Sequence, residues 1–158
     1  EEDKHALLAS DELAKTSLPF CGVRIKSFQA ETFNRSVRTL ELFLTNLLEK
    51  NSGTLPPNFV VTLPKITQTE EVTVLDELLT AFEREKNLAQ NSIQIEVMIE
   101  TPFAVKFSDE LVKAANERCV AAHFGAYDYT SSYGITAVHQ HLKHPACDFA
   151  RNLMQINL

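Results

Sequence analysis

Two carboxylates hold positions from which they could do chemistry together. Glu100 is expected to be the last strand residue of the run IQIEVMIETP (93–102), directly ahead of Thr-Pro, and Asp128 closes the run HFGAYD (123–128). In the first run Ile93, Ile95, Val97 and Ile99 alternate with Gln94, Glu96, Met98 and Glu100, the pattern of a strand with one apolar face. If both runs end neighbouring strands, their acids emerge side by side. Like charges so placed are unfavourable unless a cation or a proton lies between them. Hard oxygen ligands that leave room for water and substrate oxygens suit Mg²⁺ or Mn²⁺, so Glu100 and Asp128 are read as a divalent-metal pair. Gly125 and Ala126, two small residues just ahead of Asp128, leave the backbone open to close approach by a ligand.

Basic residues accompany them. Gly22, Arg24 and Lys26 share one parity in CGVRIKSF (21–28), so Arg24 is expected on the same face as the acids, either as a ligand-binding cation or as a counter-ion. Lys65, in FVVTLPKI (59–66), is expected at the polar mouth or in a structural ion pair. Glu96, one pleat below Glu100, is expected to pair with Arg24, Lys26 or Lys65. His123 has the opposite parity to Asp128 and is expected to face the helices as a hydrogen-bonded core residue; Tyr127 and Tyr129 share that parity and should pack. His139, His141 and His144 have spacings that fit no good zinc template.

These residues need strands to carry them and helices to cover the other face. Apolar residues at helical spacing predict a helix over 30–50, stopped by Asn-Ser-Gly. Thr67 with Glu70 forms a capping box for a second helix over 69–86. Ser108 is expected to cap a third, with Asp109 and Glu110 in its first turn, and Pro145 stands near the start of a last one, 145–158. Segment 103–108 reads as a short loop, shorter than such a connection needs. With strands at 21–28, 59–66, 93–102 and 119–130, the alternation predicts an α/β fold with a parallel sheet. A doubly wound sheet, covered on both faces, would not carry charges inward from two strands. A TIM-type (β/α) barrel absorbs them at its mouth.

Only four β/α units fit into 158 residues, whereas a closed (β/α)₈ barrel takes about 250 residues. The chain is therefore expected to be a single domain, 1–158, forming the central part of a barrel. It is expected to be a homo-oligomer or to be completed by the rest of its own polypeptide or by another chain, since open strand edges are an aggregation hazard; the acidic opening without Met favours a fragment. The net charge of −6 gives no footprint for nucleic acid or an anionic membrane. No run approaches the ~20 apolar residues of a membrane span, and the opening EEDKHALLAS lacks the features of a secretory signal, so the cytoplasm is expected. Three scattered cysteines, Cys21, Cys119 and Cys147, indicate neither a disulfide framework nor a zinc site.

The series GVRIKS, VVTLPKI, IEVMIETPFAV and AAHFGAYDYT resembles consecutive strands of the phosphoenolpyruvate/pyruvate-type TIM-barrel superfamily, in the branch of citrate lyase β subunits and 2-keto-3-deoxy acid aldolases. The likeness runs from about residue 18 to the end of the chain. It implies that the first, second, seventh and eighth strands are absent, that Glu100 and Asp128 hold a divalent metal, and that Arg24 binds substrate carboxylate or carbonyl oxygen. It implies a metal-dependent carbon–carbon lyase or aldolase acting on a 2-oxo acid or acyl-CoA-type substrate through a metal-stabilised enolate. A phosphoenolpyruvate-using transferase and a non-catalytic partial-barrel module are the alternatives. YDYTSSYG and HQHLKHPACDFARNLMQ depart from the ordinary aldolases and point to a separate sub-branch, so the substrate does not carry over.

Overall fold

In the computed structural model, which describes residues 1–15 and 18–158, four short apolar runs form the strands: β1 Cys21–Arg24, β2 Phe59–Leu63, β3 Gln94–Ile99 and β4 Cys119–Phe124. They pair in parallel in the order β1-β2-β3-β4. Parallel neighbours taken in sequence order require crossovers of one hand, which place the connecting helices on a single face. This is the winding of a barrel segment. A doubly wound sheet would reverse its strand order at a switch point. The sheet is not closed: among the described residues β1 and β4 each keep one unpaired edge.

The crossovers are α2 (Phe33–Lys50), α3 (Glu70–Glu85) and the consecutive α4 (Pro102–Lys106) and α5 (Ser108–Ala114); α6 (Ala126–Ser132) and α7 (Pro145–Asn157) follow β4. On the helix-facing side of the sheet Val61, Leu63, Ile95, Val97 and Ile99 are completely buried, together with Leu75, Leu79 and Leu111 of the helices. At roughly 1.5–3 kcal/mol for each large apolar side chain removed from water, this layer is the main source of stability. An additional helix, α1 (Glu2–Leu13), lies across α2. Nothing in its weak apolar pattern predicts it; Arg35–Glu2 and Arg38–Asp3 ion pairs and the Asn46 amide, which donates to Ser10 Oγ at 2.7 Å, hold it there.

The concave face is polar, as the alternation requires. Arg24, Thr62 and Glu96 stand in register across β1, β2 and β3. Between β3 and β4 the register slips: Ile95 pairs with Cys119 but Glu96 pairs with Ala121. Val120 is the additional residue of a bulge, and one additional residue turns every later side chain of a strand to the other face. Ala121 and His123 consequently join the concave face, and Phe124 joins the helices, where its ring meets Tyr129 at 5.2 Å. His123 therefore does not face the helices as its parity with Asp128 suggested. That count fails because β4 ends at Phe124 and Asp128 lies on α6.

Other local expectations shift by a turn or less. Segment 103–108 is helical rather than a loop. Thr101 caps α4, its hydroxyl accepting from Ala104 N–H at 3.0 Å, with Pro102 in the first turn. The box at Thr67 closes with Glu71, not Glu70: Glu71 Oε1 accepts from the Thr67 amide at 2.9 Å and its hydroxyl at 2.8 Å. Ser108 is no cap, since its buried hydroxyl donates to the Val105 carbonyl and accepts from Asn157. No helix among the described residues is long and apolar enough to cross a membrane.

At the N-terminal end of the sheet, Arg118 precedes β4 with its side chain completely buried. All five of its N–H donors are used: Nε to Asp76 at 2.8 Å, and the two terminal nitrogens to both Glu83 oxygens, the Ile93 carbonyl and the Thr80 hydroxyl. Glu83 in turn accepts from the amides of Asn91 and Ile93. Burial opposes its charge, but the arginine and amide hydrogen bonds outweigh burial and hold its carboxyl below the usual range.

Candidate functional site

At the C-terminal end of the strands, the sequence Glu-Thr-Pro places its acid by ending a strand and starting a helix at once. The Thr101 hydroxyl donates to the Ile66 carbonyl at 2.5 Å, tying the end of β3 to the loop after β2. Glu100 is thereby held at the rim, only 4% exposed. Its Oε1 accepts from the Lys65 amide at 2.7 Å. Lys65 presents that amide from a left-handed backbone, φ 54°, a conformation uncommon for a residue with a side chain and found where surrounding structure enforces it. Gly125 completes the cradle. A Cβ there would lie 2.5 Å from Glu100 Cβ and 2.7 Å from Oε2, so the carboxylate occupies space that only glycine leaves.

Asp128 reaches the same place from the first turn of α6, and Lys65 Nζ donates to its Oδ1 at 2.5 Å. The two acids respond oppositely. Burial, reinforced by the Asp128 carboxylate and opposed by the Lys65 amide, pushes the Glu100 carboxyl above the usual range. The Lys65 hydrogen bond, with help from the nearby Arg24 charge, holds Asp128 below it. Two oxygen donors, one buried and in want of positive charge, fit a hard divalent cation. Among the described residues no third His, Cys, Asp or Glu joins them, so such an ion would take its remaining ligands from water and substrate, as Mg²⁺ commonly does.

The acids open into a cleft of about 490 Å³ lined also by Arg24, Lys26, Lys65 and Thr32. Arg24, expected here, is exposed on the concave face beside Asp128. Lys26 turns instead toward Glu2, at 3.2 Å. Ala126 does not reach the cleft, because as the first residue of α6 it joins the core, 7% exposed.

The sequence matches, over residues 1–158, the family model described as Domain of unknown function (DUF6986). The chain belongs to the DUF6986 family. No curated protein matches it. The fold of this DUF6986 domain is similar to that of a citrate lyase from Burkholderia xenovorans LB400, with a TM-score of 0.73 at 23% identity, and to that of Haloferax volcanii malate synthase in a ternary complex with pyruvate and acetyl-CoA, with a TM-score of 0.70 at 14% identity. Each likeness covers 98% of this chain and, respectively, 47% and 43% of the other. The DUF6986 chain thus spans less than half the length of either.

Within the DUF6986 fold the sequence reading misplaces several residues. Glu96 pairs with none of the basic residues expected; Thr62 donates to its Oε2 at 2.6 Å and His123 Nδ1 to its Oε1 at 2.9 Å. Tyr129 packs, 2% exposed, but Tyr127 is 67% exposed, because residues two apart on a helix point to different sides whereas on a strand they share one. His144 accepts from the Ala146 amide at the start of α7, a capping role. Arg118 escaped notice: a lone arginine before a strand gives no sequence signal of its burial.

Proposed function

We propose that the cleft is the active site of a carbon–carbon lyase or aldolase that acts, with Mg²⁺ or Mn²⁺ held by Glu100 and Asp128, on a 2-oxo acid or an acyl-CoA-type substrate. The observation that carries this reading is the buried Glu100 carboxylate, pressed against Gly125 and facing Asp128 at the C-terminal rim of a parallel sheet, the end at which barrel enzymes carry their chemistry. The resemblance in motif order and the two solved folds support the substrate class. When bound, the cation supplies Lewis-acid neutralisation of charge on the substrate oxygens. Arg24 contributes two parallel N–H groups that fit a carboxylate and fix its orientation. Lys65 has two tasks, its amide orienting Glu100 and its ammonium holding Asp128 ionised. The unpaired edges of β1 and β4 are covered by further β/α units, from the same polypeptide or from a second copy.

Thermal denaturation with and without the cation tests the site. Anything that binds only the folded state raises its stability by mass action, so Mg²⁺ or Mn²⁺ should raise the wild-type melting temperature and leave Glu100→Gln and Asp128→Asn unmoved. An unchanged wild type would overturn the metal assignment. Turnover of pyruvate-containing aldols or oxaloacetate then tests the reaction class.

A further inference from the structure

Beneath the pair at the rim, three side chains on three adjacent strands form a hydrogen-bonded line across the concave face, His123 two residues down the strands and Thr62 and Glu96 four. Thr62 on β2 donates its hydroxyl to Glu96 Oε2 at 2.6 Å, and His123 on β4 donates Nδ1–H to Glu96 Oε1 at 2.9 Å. Both carboxylate oxygens are thereby fixed, and the carboxylate cannot swing away from the imidazole. Burial would raise the Glu96 carboxyl, but the hydrogen bonds from Thr62 and His123 outweigh it and keep the group ionised. A carboxylate on Nδ1 sets the tautomer of a histidine and leaves Nε2 with its lone pair free, the arrangement by which a positioned carboxylate prepares a general base. Among the described residues nothing hydrogen-bonds Nε2, and the His123 side chain is 42% exposed where Glu96 is 21%. This imidazole stays part-exposed on the concave face instead of being absorbed by packing.

Its height in the fold is set by pairing. His123 lies opposite Met98, two residues short of Glu100, which puts it roughly 6–7 Å further down the strands than the rim. For proton transfer a small 2-oxo acid held at the rim by its carboxylate and keto oxygens has to direct its C3 methyl or methylene toward this layer.

We propose that His123 is the proton-transfer residue of the site and that Glu96, with Thr62 behind it, positions it; this rests on the lyase or aldolase reading above. In the exchange half-reaction Nε2 takes a proton from C3 of the 2-oxo acid. The C3–H electron pair becomes the C2–C3 double bond and the carbonyl π pair moves onto the keto oxygen. The reverse step returns the proton from the imidazolium to C3 and restores neutral imidazole, so no other reactant is required. In the cleavage direction Nε2 first takes the proton of the C4 hydroxyl; the O–H pair forms the aldehyde C=O, the C3–C4 pair becomes the C2–C3 double bond of the enolate, and the imidazolium so formed then protonates C3.

Deuterium incorporation into C3 of pyruvate, followed by proton NMR in D₂O with Mg²⁺ present, tests the chemistry. Nitrogen-15 shifts of the imidazole ring test the positioning without any substrate. Wild type should exchange C3, with Nδ1 protonated and Nε2 bare. His123→Gln and His123→Asn should lose exchange by about 10²–10⁴-fold, the usual weight of a general acid–base residue, while keeping the Mg²⁺-induced rise in melting temperature that reports an intact fold and rim. Glu96→Gln should slow exchange and convert the ring signals to a tautomer mixture. Exchange in wild type that persists within threefold in both His123 variants would overturn this inference and leave the lyase reading standing. No exchange in wild type would overturn both. Ring signals unmoved by Glu96→Gln would overturn the positioning role.

Discussion

The two ends of the sheet handle buried charge in opposite ways. At the N-terminal end Arg118 has every donor satisfied and Glu83 accepts from an arginine and two amides, so charge and counter-charge are closed off from solvent. At the C-terminal end a buried acid faces a second acid, a lysine is held in a left-handed backbone to serve it, and the whole opens into a cleft. A closed network of that kind fixes geometry and leaves nothing for a ligand to do. The open one has unmet need for positive charge, and this is what distinguishes a candidate binding site from an equally polar piece of architecture.

The contrast is most sharply broken at Arg118. Arg118→Met leaves Glu83 and Asp76 without their cation, and removal of one member of a buried ion pair typically costs about 3–5 kcal/mol. Urea denaturation should show a loss of that order, and a loss below about 1 kcal/mol would mean the network is ornamental. Gly125→Ala is expected to cost less, about 1–3 kcal/mol from overpacking, but to displace the Glu100 carboxylate and abolish the Mg²⁺-induced rise in melting temperature; a retained rise would show that the cradle is dispensable. The smallest effect is in pH dependence, measured as unfolding free energy in cation-free buffer. Glu83 has a folded pKa below its unfolded value, so its stabilisation is complete above the ordinary glutamate value of about 4.3 and is lost as pH falls through the folded one. Glu100 has a folded pKa above its unfolded value, so stability rises as pH falls from that raised value toward about 4.3. Glu83→Gln should remove the first slope and Glu100→Gln the second; the same slope lost in both variants would erase the distinction between the two ends.

What the sequence could disclose follows the same division. Alternation in 93–102 and the helical spacing in 30–50 identify β3 and α2 because each buries one face, and the strand order follows from the crossovers. Glu100 is visible because Thr-Pro ends its strand. Asp128 is seen to be near Glu100, though on the wrong element: a small, aromatic-rich stretch such as GAYDYTSSYG suits strand and helix alike, and tertiary packing decides. The Arg118 network is invisible because its partners come from 25 to 42 residues away. Glu96 is paired wrongly because His123 is assigned to the wrong face, and α1 is absent from the reading because its ion pairs with α2, not its own periodicity, hold it in place.

The bulge at Val120 has a consequence that substitutions cannot reproduce. Bulge-free pairing that kept Val120 would rotate the imidazole of His123 from the wet side of the sheet to the oily one, whereas loss of that single codon would restore regular pairing with β3 and leave the imidazole on the wet side, opposite Met98. In β4, register and not length decides which side chains meet water.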